Sequence, residues 1–83
     1  MTCLITGGAG FIGHNLVKAL LGRGHHVRVL DNFSTGKRIN LDPFLEHIEL
    51  IEGDLRSYHI VHEAARNIEV IFIREPFLQF LAL

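Results

Sequence analysis

The chain has little cysteine, little tyrosine and no long apolar run, and each shortage closes off a class of protein. The single cysteine among 83 residues, Cys3, cannot form an internal disulfide, so burial and hydrogen bonding must hold the fold. Set within an apolar stretch, Cys3 reads as a small core residue rather than a nucleophile, and a lone reduced thiol suits the cytoplasm. No apolar stretch reaches the roughly 18 residues that a membrane helix needs, and the N-terminus lacks the basic lead and continuous apolar run of a signal peptide. A soluble, cytoplasmic chain with no membrane partner is expected. Charge of one sign is also missing. Eight Lys and Arg stand against nine Asp and Glu, which leaves no basic footprint for nucleic acid. No repeat or low-complexity segment interrupts the chain, and 48% hydrophobic residues supply material for a globular core.

Glycine, by contrast, is concentrated near the start. Thr6-Gly7-Gly8-Ala9-Gly10-Phe11-Ile12-Gly13 follows Cys3-Leu4-Ile5-Thr6, which reads as a short buried strand. It opens a helical pattern in Ile12, Leu16, Val17, Leu20 and Leu21 that Gly22 and Gly24 end. Two dinucleotide-binding spacings fit at once: Gly8, Gly10 and Gly13 match G-x-G-x-x-G, and Gly7, Gly10 and Gly13 match G-x-x-G-x-x-G. In either, the first glycines turn the chain out of the strand, the middle one leaves room for a pyrophosphate, and the last lets the helix press on the sheet. The pyrophosphate then faces the unpaired N–H groups and positive dipole end of the helix.

The remaining chain alternates in the same rhythm. His26-Val27-Arg28-Val29-Leu30 reads as a second strand ending in Asp31, near the interval at which an acidic residue meets an adenosine ribose. A polar loop, Asn32 to Asn40, leads to Asp42-Pro43, read as an N-cap and first helical position of a short turn. His47 to Ile51 alternates like a third strand, broken by Gly53; an apolar stripe of Ile60, Val61, Ala64 and Ala65 predicts a helix from Ser57 or Tyr58 to Arg66; Val70 to Ile73 is a fourth strand. Right-handed crossovers give an α/β, Rossmann-type doubly wound parallel sheet of about four strands, order 3-2-1-4, with a crevice outside the ends of strands one and four.

Asp31 suits both hydroxyls of an adenosine ribose and would meet a 2′-phosphate with like charge, which favours NAD over NADP; Lys37 and Arg38 in the same loop soften that preference. The alternative is a turn initiated with Asn32. Asp54 has two readings of equal weight, acceptor for an adenine amino group with Leu55 at the ring edge, or helix N-cap. No metal site is expected. His59-Ile60-Val61-His62-Glu63 lacks the H-E-x-x-H order, and His25 and His26 point to opposite faces of a strand. Gly36-Lys37 is followed by Arg38 rather than Ser or Thr, which excludes a phosphate-binding loop of the ATPase kind.

T-G-G-A-G-F-I-G at 6 to 13, D-N-F-S-T-G-K-R at 31 to 38 and E-G-D-L-R at 52 to 56 together resemble the extended short-chain dehydrogenase/reductase family. Within it the chain is most similar to the NAD-dependent nucleotide-sugar epimerases of the UDP-glucose 4-epimerase group, from about Thr2 to Phe72. The resemblance implies Gly7, Gly10, Phe11, Ile12 and Gly13 around the pyrophosphate of NAD. It implies Asp31 and Asn32 on the adenosine ribose, Ser34, Thr35 and Gly36 near it, and Asp54 and Leu55 on adenine. It also implies an isomerase reaction on a UDP-sugar by transient hydride transfer to NAD, with a homodimer possible in the complete enzyme. Dehydratases and reductases of the same family share this half. So would a non-catalytic NAD-binding fragment.

The family's Tyr-x-x-x-Lys pair has no counterpart. The one tyrosine is Tyr58, four residues before His62, and it reads as a helix-surface residue, so no catalytic residue is assigned and the chain alone is expected to be inactive. After Phe72 the family's His-Leu-Ala-Ala turn is replaced by Ile73-Arg74-Glu75-Pro76. The expectation is therefore the N-terminal part of a NAD-binding domain over 1–72 and a divergent apolar tail over 73–83, the domain incomplete. At this length only about 60–65% of the unfolded surface is buried, and strand four is expected to be a bare sheet edge prone to aggregation.

Overall fold

Among the described residues there are five strands and two α-helices, and the first four strands alternate with helical segments as the sequence pattern requires. In the computed structural model, the backbone is described for residues 1–75 and 78–82 and the side chains through Ile73. The order is β1 (Thr2–Thr6), α1 (Phe11–Gly22), β2 (His26–Asp31), 3₁₀ turns at Arg38–Asn40 and Asp42–His47, β3 (Ile48–Glu52), α2 (Tyr58–Ala64), β4 (Val70–Glu75) and β5 (Leu78–Ala82).

The sheet runs β3-β2-β1-β4-β5. Its first four strands are parallel and stand in the expected order 3-2-1-4, with Cys3 opposite both Val27 and Val70, and Val27 opposite Ile48. Period-two alternation sends their apolar residues to two faces. Ile5, Val27 and Val29 join Val17 of α1, Ala9 and Leu41 in one core, which Leu16, Leu20, Phe44 and Phe72 extend. Leu4 and Leu30 join Ala64 of α2 in the other, with Ile51, Ile60 and Ile71 around them. One helix on each face is the doubly wound arrangement. Cys3 lies fully buried on β1, and burial pushes its thiol pKa up, which fits a packing role.

Four expectations need correction. The bare edge at β4 is not there: β5 pairs with it antiparallel, from Ile71 opposite Ala82 to Glu75 opposite Leu78. An unpaired strand edge is a row of open donors and acceptors, and the apolar segment that follows in the chain takes it. Residues 76, 77 and 83 of that tail lie outside the described residues. Leu41, not Asp42, caps the second 3₁₀ turn, with Pro43 inside its first positions. The 3₁₀ turn also takes in His47, so β3 begins at Ile48. Finally, α2 stops at Ala64 rather than Arg66, because Asn67 adopts a positive φ of 61° that ends helical geometry.

A long-range clamp holds α2 down. Arg28, pointing from β2 toward that face, donates from Nη1 to the Ala64 carbonyl at 2.8 Å and the Arg66 carbonyl at 2.7 Å, while its Nε meets Glu49 at 3.3 Å. The Ala64 carbonyl is an unpaired acceptor of the helix end and the Arg66 carbonyl lies in the turn just past it, so a charged donor there satisfies both and suits the dipole. Among the described residues no helix is long and apolar enough to cross a membrane.

Candidate functional site

A cleft of about 730 Å³ opens past the C-terminal ends of β1, β2 and β3. Its described lining is Thr6, Gly7, Gly10 to Gly13 without a break after Gly10, Leu30, Asp31, Asn32, Ser34, Thr35 and Gly53 to Arg56. Among the described residues the lining comes from the ends of β1, β2 and β3, the loops that follow them and the first turn of α1.

The glycine turn resolves which spacing operates. Gly7 has a φ of 71°, a left-handed conformation that glycine adopts without penalty, and it turns the chain out of β1. A Cβ on Gly8 would stand 2.6 Å from a Val29 methyl, so this glycine faces the core and not the cleft. A Cβ on Gly10 would meet only the Gly7 carbonyl, at 3.4 Å, leaving its other side open. One on Gly13 would lie 2.2 Å from the same carbonyl, so the last glycine lets α1 press on the turn rather than on the sheet. Gly7, Gly10 and Gly13 are thus the operative set, and Gly8 serves packing. Gly10 is the N-cap of α1, and the N–H groups of Phe11, Ile12 and Gly13 have no carbonyl to pair with in the helix.

Asp31 ends β2 and is only 7% exposed. Its Oδ2 accepts the Ala9 N–H at 2.9 Å and its Oδ1 the Phe33 N–H at 2.8 Å. The next loop is tied to the same place: the Ala9 carbonyl accepts from the Lys37 N–H at 3.1 Å and from Asn40 Nδ2 at 2.8 Å. Asn32 closes a small turn by accepting the Ser34 N–H at 3.0 Å. Gly36 does not line the cleft. A Cβ there would stand 2.8 Å from the Ala9 carbonyl carbon, so Gly36 lets the loop lie against the glycine turn. Arg38 sits 4.1 Å from the centre of the Phe33 ring and pairs with Glu52.

Asp54 is not the N-cap of α2; Ser57 occupies that position. The Asp54 carboxylate instead accepts the Arg56 main-chain N–H at 2.8 Å and its Nη2 at 2.7 Å, with Nε at 3.1 and 3.2 Å from the two oxygens. These bonds from Arg56, with a smaller contribution from the Asn32 side chain, hold the carboxyl pKa down at about 2. Gly53 beside it allows Ile60 of α2 within 2.5 Å of where a Cβ would be.

Of the twelve residues expected to contact cofactor, eleven line this one cleft: Gly7, Gly10, Phe11, Ile12, Gly13, Asp31, Asn32, Ser34, Thr35, Asp54 and Leu55. Sequence reasoning missed Arg56 and the bracing role of Ala9. Arg56 stood in the quoted E-G-D-L-R segment, but nothing in a sequence says that a side chain folds back two residues onto its neighbour. Tyr58 is 77% exposed at the start of α2 and stacks on His62 with ring centres 5.9 Å apart, away from the cleft lining. Among the described residues no three His, Cys, Asp or Glu side chains gather as metal ligands.

Residues 3–74 match the NAD dependent epimerase/dehydratase family. The chain belongs to that family. Over 70 residues, 84% of the chain, it is 40% identical to a UDP-N-acetyl-alpha-D-glucosaminuronate decarboxylase of Bacillus cytotoxicus, covering 22% of that protein. It is 39% identical to a UDP-glucose 4-epimerase of Lacticaseibacillus casei across 96% of its own length and 27% of that protein's. The chain thus spans about a quarter of the relatives it matches. Among solved structures, UDP-glucose 4-epimerase of Thermus thermophilus in complex with NAD superposes with a TM-score of 0.72 at 46% identity, over 82% of this chain and 21% of that one. The Thermotoga maritima UDP-glucose 4-epimerase with UDP-glucose gives 0.82 at 32% identity, over 90% and 24%. NAD is the cofactor of this family.

Proposed function

We propose that residues 1–72 are the N-terminal part of the NAD-binding domain of a nucleotide-sugar 4-epimerase, and that the cleft takes the ADP half of NAD. One observation carries the reading: the N-terminus of α1, the bare face of Gly10 and the carboxylates of Asp31 and Asp54 all open into one cleft.

The donor set suits that ligand. Free N–H groups at Phe11, Ile12 and Gly13, with the helix dipole behind them, favour a pyrophosphate, and the missing side chain at Gly10 lets it come close. Asp31 has given one acceptor position on each oxygen to the backbone and retains others for the ribose hydroxyls. Each such bond to a charged group contributes about 1.5–3 kcal/mol, and a 2′-phosphate would be repelled, so NAD is preferred over NADP. Asn32, Ser34 and Thr35 flank the ribose. Gly36 acts one step back by letting their loop reach Ala9. Asp54 receives the adenine amino group, with Leu55 at the ring edge.

NAD, when bound, supplies reversible hydride transfer. This chain's residues bind and orient its adenosine end. With no Tyr-x-x-x-Lys pair in its 83 residues, the chain by itself is expected to turn over no sugar. The UDP-sugar, and a homodimer, belong to an enzyme of the relatives' full length that contains this segment. The two epimerase structures at 46% and 32% identity support epimerisation. A second reading, a nucleotide-sugar decarboxylase or dehydratase, is favoured by the 40% identity to the Bacillus cytotoxicus decarboxylase.

Calorimetric titration of the chain with NAD and with NADP tests the site. Saturable NAD binding, tighter than that of NADP, is expected, and absence of NAD binding would overturn the assignment. For a full-length enzyme carrying this segment, interconversion of UDP-glucose and UDP-galactose supports the first reading. Release of carbon dioxide from a UDP-uronate supports the second.

A further inference from the structure

We infer that Arg56 is a positioning residue for base recognition, fixing the Asp54 carboxylate so that its open acceptor side selects a purine with a 6-amino group and rejects one with a 6-oxo group. The inference rests on the NAD-binding reading and adds to it a residue and a selectivity.

The geometry is unusual for a surface arginine. Its side chain is 89% exposed, so packing does not explain where it lies, and among the described residues Asp54 is its only acidic partner. It nevertheless meets that carboxylate with three groups, the main-chain N–H, Nε and Nη2, at 2.7–3.2 Å. The three donors leave about one of the carboxylate's roughly four lone-pair positions, and the fork with a backbone donor gives that position a set direction. Both residues line the cleft.

An ionised carboxylate only accepts hydrogen bonds. Adenine offers it an N–H at position 6, whereas hypoxanthine offers a carbonyl oxygen that repels it. A competing role for Arg56 is plain attraction of a negatively charged dinucleotide. That role would act on both ligands alike.

The test is calorimetric titration of the 83-residue chain and of R56A, R56K and D54N with NAD and with nicotinamide hypoxanthine dinucleotide, after circular dichroism has matched the folds. The wild-type chain should prefer the adenine form by about tenfold, the scale of one hydrogen bond to a charged group. R56A should bring the preference to about threefold or less, and R56K should restore it only in part, since an ammonium cannot make the paired contact. D54N should abolish it. Equal weakening of both ligands in R56A, or an unchanged ratio, overturns the role of Arg56 while leaving NAD binding intact. Equal affinity of the wild-type chain for the two ligands overturns adenine selection by Asp54. Binding of neither overturns the NAD reading itself.

Discussion

Oδ2 of Asp31 accepts the Ala9 N–H at 2.9 Å, so the residue that ends β2 braces the glycine turn that follows β1. The other oxygen holds Phe33, whose φ of 58° is uncommon for a residue with a bulky side chain and needs such support. Asp31 therefore shapes the cleft before any ligand arrives.

Replacing it should damage fold and binding together. Asp31→Ala leaves two backbone N–H groups without their charged acceptor at a site only 7% exposed, and a loss of about 2–3 kcal/mol is expected. Asp31→Asn should be milder, because its carbonyl still serves one of the two donors. Urea unfolding measures the stability difference. Faster amide exchange at Ala9 and Phe33 in D31A would locate it.

The three operative glycines should separate function from folding. At Gly10 a methyl group meets nothing nearer than 3.4 Å, so Gly10→Ala should cost under about 1 kcal/mol of stability yet weaken NAD binding, because the methyl occupies the approach of the pyrophosphate. At Gly13 the same change sets carbon 2.2 Å from the Gly7 carbonyl oxygen, where only backbone movement can relieve it. Overpacking of that kind costs roughly 1–3 kcal/mol or more. Thermal unfolding and NAD titration of the two variants should rank them oppositely.

What the sequence disclosed, and what it hid, follows the range of the interactions. The first four strands, both helices and eleven cleft residues were legible because local periodicity and a short motif determine them. The motif left two glycine spacings equally good. Only the contact of Gly8 with Val29, a residue 21 positions on, separates them. Strand β5 was hidden for a related reason: Leu78–Ala82 has no alternation of its own, and its identity as a strand comes from the edge of β4. Asp54 could be read equally as an adenine acceptor or as a helix cap, because an acidic residue just before a helix suits either role. Its neighbour Arg56 engages it first.

Arg28 illustrates the same limit and gives a third prediction. Read alone, it is a polar residue on the alternating strand β2. In the fold its side chain is 12% exposed and spans the distance to the end of α2, satisfying the carbonyl of its last residue, Ala64, and that of Arg66 in the turn beyond it. Arg28→Met keeps the apolar stem and removes the donors, and a loss of about 1.5–3 kcal/mol is expected. Glu49→Ala should cost less, about 0–1 kcal/mol, because that partner is 66% exposed and its ion pair is screened. Chemical denaturation of both variants checks the order, and a larger effect from Glu49 would contradict the clamp.

Acid should release the Asp54 clamp within a defined window. Its carboxyl pKa is lowered from 3.8 to about 2, chiefly by the Arg56 side chain and then by the Arg56 main-chain N–H. A depressed folded-state pKa means that the ionised contact is fully present above about pH 4, weakens as pH falls, and is lost near pH 2. Arg56→Ala removes the main cause and should return the carboxyl toward the ordinary range for aspartate, while the main-chain donor keeps part of the depression. Carboxyl carbon chemical shifts followed by NMR through this range read the two titrations directly. An Asp54 titration unmoved by R56A would mean that the fork seen in the fold does not persist in solution, and adenine would then meet a freely rotating carboxylate.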